Sequence, residues 1–439
     1  MSDTQSWLAY RDACAAGLPG AGAPWLAAAR RRAMERFMDQ GWPTPRQENW
    51  RHTSLAPLAG QAFAPGAGAG RQTGLPDLRD GQPGHWLVFV DGRYMATASD
   101  IGSLPRGARI ISLAQALQTD AQRLQPYLGD ETAGESPAAL NLALAQDGVF
   151  IELAQGVALE EPIHLVFLAA TPGAASFPRN IVALGAGAQA TLVEHYAGAP
   201  AGTHADATLT NAVLQGELAR DARLTHLKLQ QEDAQAFHLS LADVRQQQGS
   251  AYESHSFSFG SRLARHDIST RFEGRRCHAL LNGLYLADER RHVDHHTRIE
   301  HAQPDGVSRE YYRGILDDAA RGVFTGRIQV LRGADGTDAV QRCDSLLLSA
   351  RARSDSRPEL EIYADDVKCA HGATVGQLDE ASLFYLRSRG LSEAHARGVM
   401  TYAFAAQAVQ RVALLPMRER IGRIVRALLP GGHLLGEIS

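Results

Sequence analysis

The sequence predicts a mainly β protein in which a right-handed parallel β-helix core is flanked by N-terminal and C-terminal helical domains. Short runs that alternate between apolar and polar residues follow one another from about Gly148 for some 200 residues, whereas helical patterns lie before and after them. This long succession of short strands exceeds a typical β-sandwich, and stacked coils that bury inward side chains on the next coil fit it. Because the repeat is not strict, a large antiparallel barrel stays an alternative.

Length and texture together predict three domains. The 439 residues are 44% hydrophobic and 21% charged, which is the composition of an ordinary globular protein. We predict a mostly helical N-terminal domain with a linker and a hairpin (1–147), a parallel β-helix core (148–376) and a C-terminal helical domain (377–439).

Charge and cysteine usage argue against several classes of protein. A net charge of -4 supplies no basic field for phosphates, so neither a nucleic acid nor an anionic membrane is expected as a partner. The four cysteines form no CxxC pair, which argues against a disulfide framework and a self-contained zinc site. The chain shows no leader pattern and no membrane-spanning apolar stretch, so we expect a cytoplasmic protein.

Helices are predicted where apolar residues recur at intervals of three and four. Gly41 stands where a C-terminal cap would fall, and Ser136-Pro137 is a helix start signal. The last predicted helix is amphipathic and can serve its own core or another subunit. The predicted helices cover 25–40, 136–146, 378–389, 392–412 and 417–429.

Two further patterns lie in the N-terminal domain. Gly and Ala dominate 62–74, which is typical of a flexible linker. Between two apolar stretches, Asp91-Gly92 supplies the positive φ angles of a two-residue turn, so a hairpin is predicted over 85–99.

Two glycine-rich motifs resemble nucleotide sites, and we interpret neither as one. Residues 66–73 lack the lysine and spacing of a phosphate-binding loop. Residues 185–190 read G-x-G-x-x-A after a strand, yet the next residues alternate like another strand and offer no helix N-terminus for a pyrophosphate. We therefore expect no nucleotide to be bound by this chain.

The run 290–301 is rich in metal-ligating side chains, namely His292, Asp294, His295, His296, Glu300 and His301. On a strand, His292, Asp294 and His296 would share one face and His295 would lie on the other. Three ligands along one strand span roughly 13 Å, too far to converge on one ion without a bend. A hydrogen-bonded polar ladder on the outside of the β-helix is therefore favoured over a metal site.

The run 363–377, YADDVKCAHGATVGQ, places Cys369 and His371 two residues apart. On an extended segment both point the same way with Ala370 opposite, and we expect Lys368 to favour the thiolate of the cysteine. Thiolate and imidazole bind iron, zinc and copper, but a metal centre needs about four ligand positions. The pair is half a site, so either another subunit supplies the remaining ligands or the two residues are structural.

At these residues the sequence resembles the SufB/SufD family of iron-sulfur cluster assembly proteins. The resemblance lies in 358–390, in the preceding stretch 295–328, and in the E-x-W-[KR]-x-T element within 46–58. It covers most of the chain from about Gly148 and is closer to the SufD type, because the N-terminal cysteine motifs of SufB-type chains are missing. The family more often has Ser where Ala370 stands.

The resemblance implies a scaffold subunit without catalytic activity of its own. It implies a heterodimer with a SufB-like subunit through the β-helix, and C-terminal helices that dock a SufC-like ATPase. A transient iron-sulfur cluster is expected at the SufB interface, with His371 as a ligand and Cys369 beside it. A flavin on the assembled complex and a homodimer of the isolated chain are left open.

Two other functions are weighed against this one. A SufB-like homodimeric scaffold would hold clusters without a distinct partner. A carbohydrate-active β-helix enzyme would use carboxylates such as Asp294, Asp365 and Asp366. On a strand, the adjacent Asp365 and Asp366 would point to opposite faces and could not act as an acid and base pair.

Overall fold

The computed structural model describes residues 3–66, 78–129, 134–198, 206–430 and 432. The predicted linker at 62–74 falls outside these residues from position 67 onward. The helices are α1 (Asp3–Cys14), α2 (Pro24–Gln40), α3 (Ala56–Ala59), α4 (Leu113–Thr119), α5 (Gln125–Leu128), α6 (Ser136–Leu144), α7 (Glu380–Ser388), α8 (Glu393–Val409) and α9 (Leu415–Leu428). Among the described residues, no helix is both long and apolar enough to cross a bilayer.

The strands occupy the middle of the chain and follow one another with short connections. They are β1 (Ala64–Pro65), β2 (His85–Val90), β3 (Arg93–Tyr94), β4 (Ala108–Ser112), β5 (Val149–Leu153), β6 (Ile163–Ala169), β7 (Ala174–Ser176), β8 (Arg179–Leu184), β9 (Gln189–Gly198), β10 (Leu209–Leu218), β11 (Arg223–Gln231), β12 (Phe237–Gln246), β13 (Ala251–Ser258), β14 (Leu263–Phe272), β15 (His278–Ala287), β16 (His292–His301), β17 (Val307–Leu316), β18 (Arg321–Val330), β19 (Thr337–Leu347), β20 (Arg353–Ile362) and β21 (Val367–Gly376).

These strands form a parallel β-helix with two sheets. Sheet A has the order β20-β18-β16-β14-β12-β10-β8-β5-β4, and sheet B has the order β21-β19-β17-β15-β13-β11-β9-β6-β2-β3. Successive strands alternate between the sheets from β8 onward, and each pairs in parallel with the second strand after it. Two strands therefore make one coil. The parallel pairing confirms the predicted β-helix and excludes the antiparallel barrel.

The N-terminal end of the β-helix contains strands that precede residue 148. Strand β2 extends sheet B by pairing in parallel with β6, and β4 extends sheet A by pairing antiparallel with β5. The predicted hairpin is confirmed, because β2 and β3 are joined by Asp91 and Gly92 with φ angles of 49° and 78°. Reversed strands thus terminate both parallel ladders at this end.

Turns at the coil corners explain why the strand runs are separated by Asp as well as Gly. Asp221, Asp305 and Asp318 adopt positive φ angles of 59°, 63° and 49°. Asp tolerates this left-handed region better than most residues because its side chain bonds nearby backbone groups. At each of these corners, one residue with a positive φ angle helps the chain to pass from one sheet to the other without a hairpin turn.

Apolar side chains fill the space between the sheets and also cover their outer faces. Inside, residues such as Ile163 and Leu192 stack from coil to coil on sheet B. The N-terminal helices pack on the outside of sheet A, where α6 donates from Asn141 to the backbone carbonyl of Asn211 at 2.7 Å. Helices α8 and α9 pack on the outside of sheet B, where Ile421 is fully buried. Within the described residues, the last coil, formed by β20 and β21, has one neighbouring coil only.

Candidate functional site

Strand β21 is the last strand of sheet B and pairs with β19 on one side alone within the described chain. Its residues from Ala370 to Gly376 are all exposed, whereas the corresponding positions of β19 are mostly buried. Strand β20 similarly ends sheet A. We call the surface formed by these two edge strands the open end of the β-helix.

Cys369 and His371 both point into the β-helix at this open end. In register they lie beside Ala339 and Gln341 of β19, which are 0% and 1% exposed and face the interior. Thr374 lies on the opposite face, where its hydroxyl donates to Asp344 at 2.6 Å. The strand therefore brings the two residues to one face, as its alternation predicts. His371 is nevertheless exposed, because no further coil covers it.

The environment of the cysteine favours the thiol. Burial raises the pKa of Cys369 and the carboxylate of Asp338 adds to this, against a hydrogen bond with the backbone of Ala339 that lowers it. Lys368 lies on the outer face of the strand and does not contribute. The prediction that Lys368 favours the thiolate is therefore wrong, since alternation sends the ammonium group to the other side of the sheet.

Two polar residues lie beneath His371, and the sequence pattern did not single them out. Gln341 is the next residue inward on the same face, and Glu310 of β17 is the one after it. Both are buried, and the Gln341 amide Nε2 donates to Glu310 Oε2. Burial raises the pKa of the Glu310 carboxyl to about 7, although this hydrogen bond opposes the rise. A polar column thus continues from the open end into the interior.

Residues His292–His301 of the histidine-rich run form β16 of sheet A. His292, Asp294 and His296 face outward, as predicted from the period of a strand. His296 Nδ1 donates to Asp267 Oδ1 of the neighbouring strand at 3.0 Å. The contact runs sideways between strands, as expected for a polar ladder.

Asp294 is the centre of this ladder. Its Oδ2 accepts from Arg265 at 2.6 Å and from the hydroxyl of Thr53 at 2.5 Å. Because that hydroxyl proton is committed, His292 Nε2 donates to Thr53 Oγ1 at 2.9 Å. These contacts form the hydrogen-bonded ladder that the strand pattern favoured on this face. Within the described ranges, no three His, Cys, Asp or Glu side chains are grouped to hold a metal ion.

His295 and His301 face the interior of the β-helix. Burial lowers the pKa of each to about 4, so both rings are neutral at neutral pH. His301 Nε2 and Ser308 Oγ are 2.9 Å apart and share a hydrogen bond. These histidines form part of the polar interior and lie apart from the open end.

The element within 46–58 fastens the N-terminal connector onto sheet A. Glu48 forms an ion pair with Arg357 at 2.6 Å. The ring of Trp50 lies 3.8 Å from the guanidinium of Arg265, close enough for a cation–π contact. The residues that carry the sequence pattern thus hold the connector against the outer ladder, which gives the pattern a structural role.

Two other sequence interpretations are settled by the local structure. Gly185 and Gly187 lie in the turn between β8 and β9, so a strand follows the glycine motif and no helix N-terminus does. Asp365 and Asp366 lie in the bend before β21 and not on a strand. The argument that strand alternation separates these two carboxylates is therefore wrong.

Large apolar side chains are exposed near the open end and on the following helix. At the open end, Ile362, Tyr363 and Val375 are 41%, 56% and 51% exposed. On α7, Phe384 and Tyr385 are 74% and 56% exposed. Grouped exposed apolar residues of this kind mark interaction surfaces in soluble proteins.

Comparison with known proteins identifies similar chains over almost the whole length. The family model for the SufBD core domain of SUF system FeS cluster assembly matches residues 167–404, and the model for the SufBD protein N-terminal region matches residues 82–165. The iron-sulfur cluster assembly protein SufD of Escherichia coli K12 is 32% identical over 405 residues, which cover 91% of this chain and 92% of that protein.

Two further relatives have similar coverage. An iron-sulfur cluster assembly SufBD family protein of Synechocystis is 30% identical and covers 87% of this chain and 86% of its own length. The chloroplastic protein ABCI7 of Arabidopsis thaliana is 27% identical, with 91% and 85% covered. These matches confirm the resemblance drawn from the sequence motifs.

Proposed function

The chain belongs to the SufB/SufD family of iron-sulfur cluster assembly proteins and is most similar to the SufD type, and from this premise we propose that it is the SufD-like scaffold subunit of a cytoplasmic SufBCD-type complex. In this proposal it catalyses no step itself. It forms, with a SufB-like subunit, the interface at which iron and sulfide are assembled. The observation that carries the proposal is the open end of the β-helix, which presents His371 and Cys369 on an edge that no other strand of the described residues covers.

The open end suits a partner that has the same fold. Unpaired edge strands expose rows of backbone N–H and C=O groups that can pair with another strand. Ile362, Tyr363 and Val375 add exposed apolar area at the same end. A SufB-like chain that continues one or both sheets would satisfy these backbone groups and bury these side chains.

The ligand set also calls for a second chain. His371 and Cys369 supply at most two donors, whereas an iron-sulfur cluster takes about four ligand positions. Thiolates of the SufB-like subunit would complete the set across the interface. A neutral imidazole binds iron and releases a finished cluster more readily than a thiolate does, which suits a site that hands its product on.

The driving step is assigned to a SufC-like ATPase that docks on α7, α8 and α9. Helices α8 and α9 pack on the outside of sheet B, so a movement of these helices would reach the coils next to the open end. Phe384, Tyr385 and Leu415 are exposed on this region and are candidates for the docking contacts. In this proposal, ATP-dependent dimerisation of the ATPase shifts the interface and opens it to iron and sulfide.

A SufB-like homodimeric scaffold is the second candidate. The open end favours it too, because two copies of this chain could meet there as a chain and its SufB-like partner would. Purification from the native cell separates the candidates. A SufB-like chain and an ATPase in the eluate support the first proposal, and a dimer of this chain alone supports the second.

The ligand role is tested with His371→Ala in the coexpressed complex. We expect iron and sulfide to fall to a small fraction of the wild-type content, and Cys369→Ser to show whether the thiol contributes. The matched control is Lys368→Ala, on the same strand but facing outward, which should leave the content unchanged. Gel filtration verifies that all variants assemble. Unchanged iron and sulfide in an intact His371→Ala complex would refute the ligand role.

A further inference from the structure

Gln341 is the residue beside His371 on the neighbouring strand β19. The two residues are register partners on adjacent parallel strands and face the same way, so their side chains are neighbours about 5 Å apart at the backbone. Gln341 is 1% exposed, although it lies only one strand from the open end. An amide buried at this position requires hydrogen-bond partners, because burying a polar group without hydrogen bonds is unfavourable.

One end of this amide is fixed by a carboxylate. The Gln341 Nε2 donates to Glu310 Oε2, and a carboxylate oxygen accepts hydrogen bonds but cannot donate them. With Glu310 ionised, the amide is therefore held with its nitrogen pointing inward. Its carbonyl oxygen Oε1 is then the free end, and this buried atom has no hydrogen-bond partner among the described residues.

The opposite sheet leaves room for the amide in this position. Gly326 of β18 faces Gln341 across the interior, and a Cβ atom on it would lie 2.0 Å from Nε2 and 2.8 Å from Cδ of Gln341. Both distances are shorter than any van der Waals contact. The absence of a side chain at Gly326 therefore leaves space for the Gln341 amide, and the methyl group of an alanine would occupy that space.

We propose that Gln341 is a positioning residue for His371: when the imidazole turns toward β19, Gln341 Oε1 accepts the N–H of one ring nitrogen and leaves the other nitrogen unprotonated and free for iron. A neutral imidazole carries one donor and one acceptor nitrogen, so fixing the donor fixes the acceptor. Histidines that bind metals commonly donate their second nitrogen to an oxygen in this way. The inference rests on the proposed ligand role of His371.

The structure gives the proposal a test that needs no metal. In the full chain labelled with ¹⁵N histidine, at about pH 8 where Glu310 is ionised, the nitrogen shifts of His371 report the ratio of its two tautomers. His371→Ala assigns the signals. In Gln341→Leu we expect the ratio to change by about threefold to tenfold, the effect of losing one hydrogen bond.

Two further variants separate positioning from a general packing role. Gly326→Ala displaces the amide without removing it and should shift the tautomer ratio in the same direction, so it also serves if Gln341→Leu fails to fold. Glu310→Gln places a donor as well as an acceptor beneath Gln341, so the amide is no longer held in one orientation and the ratio should shift part of the way toward that of Gln341→Leu. An unchanged ratio in folded Gln341→Leu or Gly326→Ala, with only the unfolding midpoint altered, would overturn the proposal.

The outcome is distinguishable from that of the ligand experiment. In the coexpressed complex, Gln341→Leu should retain less iron than wild type and no less than His371→Ala. A tautomer shift combined with unchanged iron in His371→Ala would uphold the positioning of the ring and refute its ligand role. If the tautomer ratio is unchanged in Gln341→Leu and Gly326→Ala but iron is lost in His371→Ala, the ligand role is upheld and the positioning of the ring by Gln341 is refuted.

Discussion

Glu310 gives the protein a pH dependence that can be worked out from its surroundings. The carboxyl is 0% exposed, and burial raises its pKa from 4.5 to about 7. In the unfolded chain the same group releases its proton near 4.5. Between these two values the folded chain holds a proton that the unfolded chain has lost, so the free energy of unfolding decreases as the pH rises.

The size of the effect follows from the two pKa values. When the pKa of a group differs by one between the folded and the unfolded chain, the free energy of unfolding changes by about 1.36 kcal/mol. The ionisation of Glu310 should therefore make the free energy of unfolding roughly 3 kcal/mol lower above pH 7 than below pH 4.5. Glu310→Gln has no charge to bury and should lose this dependence. Gln is nearly the same size and keeps an oxygen that accepts from Gln341.

The assay is denaturant unfolding of both proteins at pH values from about 4 to 8. Asp147, whose pKa burial raises to about 6, titrates in the same window in both proteins, so only their difference reports Glu310. We expect the stability of wild type relative to Glu310→Gln to fall by roughly 3 kcal/mol across this range. A difference that changes by less than about 1 kcal/mol would refute the reasoning about burial.

Three other substitutions test the packing. Thr53→Val removes one donor to the buried Asp294 and should lower the free energy of unfolding by about 1–3 kcal/mol; a loss below about 0.5 kcal/mol in a denaturant titration would contradict the ladder. Ile421→Ala, in the core beneath α9, should lower it by about 2–5 kcal/mol and speed amide exchange in that helix; unchanged exchange would speak against tight packing there. Phe384→Ser, at a 74% exposed position, should leave the free energy of unfolding within about 0.5 kcal/mol but weaken capture of the SufC-like ATPase that we propose as a partner; undiminished capture would remove Phe384 from the proposed docking surface.

Much of the fold could be predicted from the sequence because its signals are local. Period-two alternation without intervening helices predicts stacked strands, and the hairpin at Asp91-Gly92 follows from two residues that tolerate positive φ. Helix α2 ends at Gly41 as its cap signal indicates. The domain boundary predicted at residue 148 stays a prediction, and β2 and β4 join the sheets from the N-terminal side of it.

The site could be predicted only in part, because half of it depends on register. Cys369 and His371 are close in sequence, so alternation alone places them on one face. Gln341 and Glu310 lie 30 and 61 positions before His371 in the printed sequence, and only the pairing of the coils makes them neighbours. The prediction that Lys368 favours the thiolate of Cys369 was wrong for a related reason. Residues that are adjacent along a strand lie on opposite faces of the sheet.

The exposed edges of β20 and β21 have a consequence for how large an assembly can grow. Strands β3 and β4 end the parallel ladders at the N-terminal end, whereas β20 and β21 leave parallel edges exposed at the other end. A junction between two such C-terminal ends uses up the exposed edges of both chains. An assembly in which both chains use the same edge ends as a dimer, whereas head-to-tail contacts between unlike ends would continue into a fibre. A union made through the C-terminal edges therefore stops at two chains, whichever chain is the second.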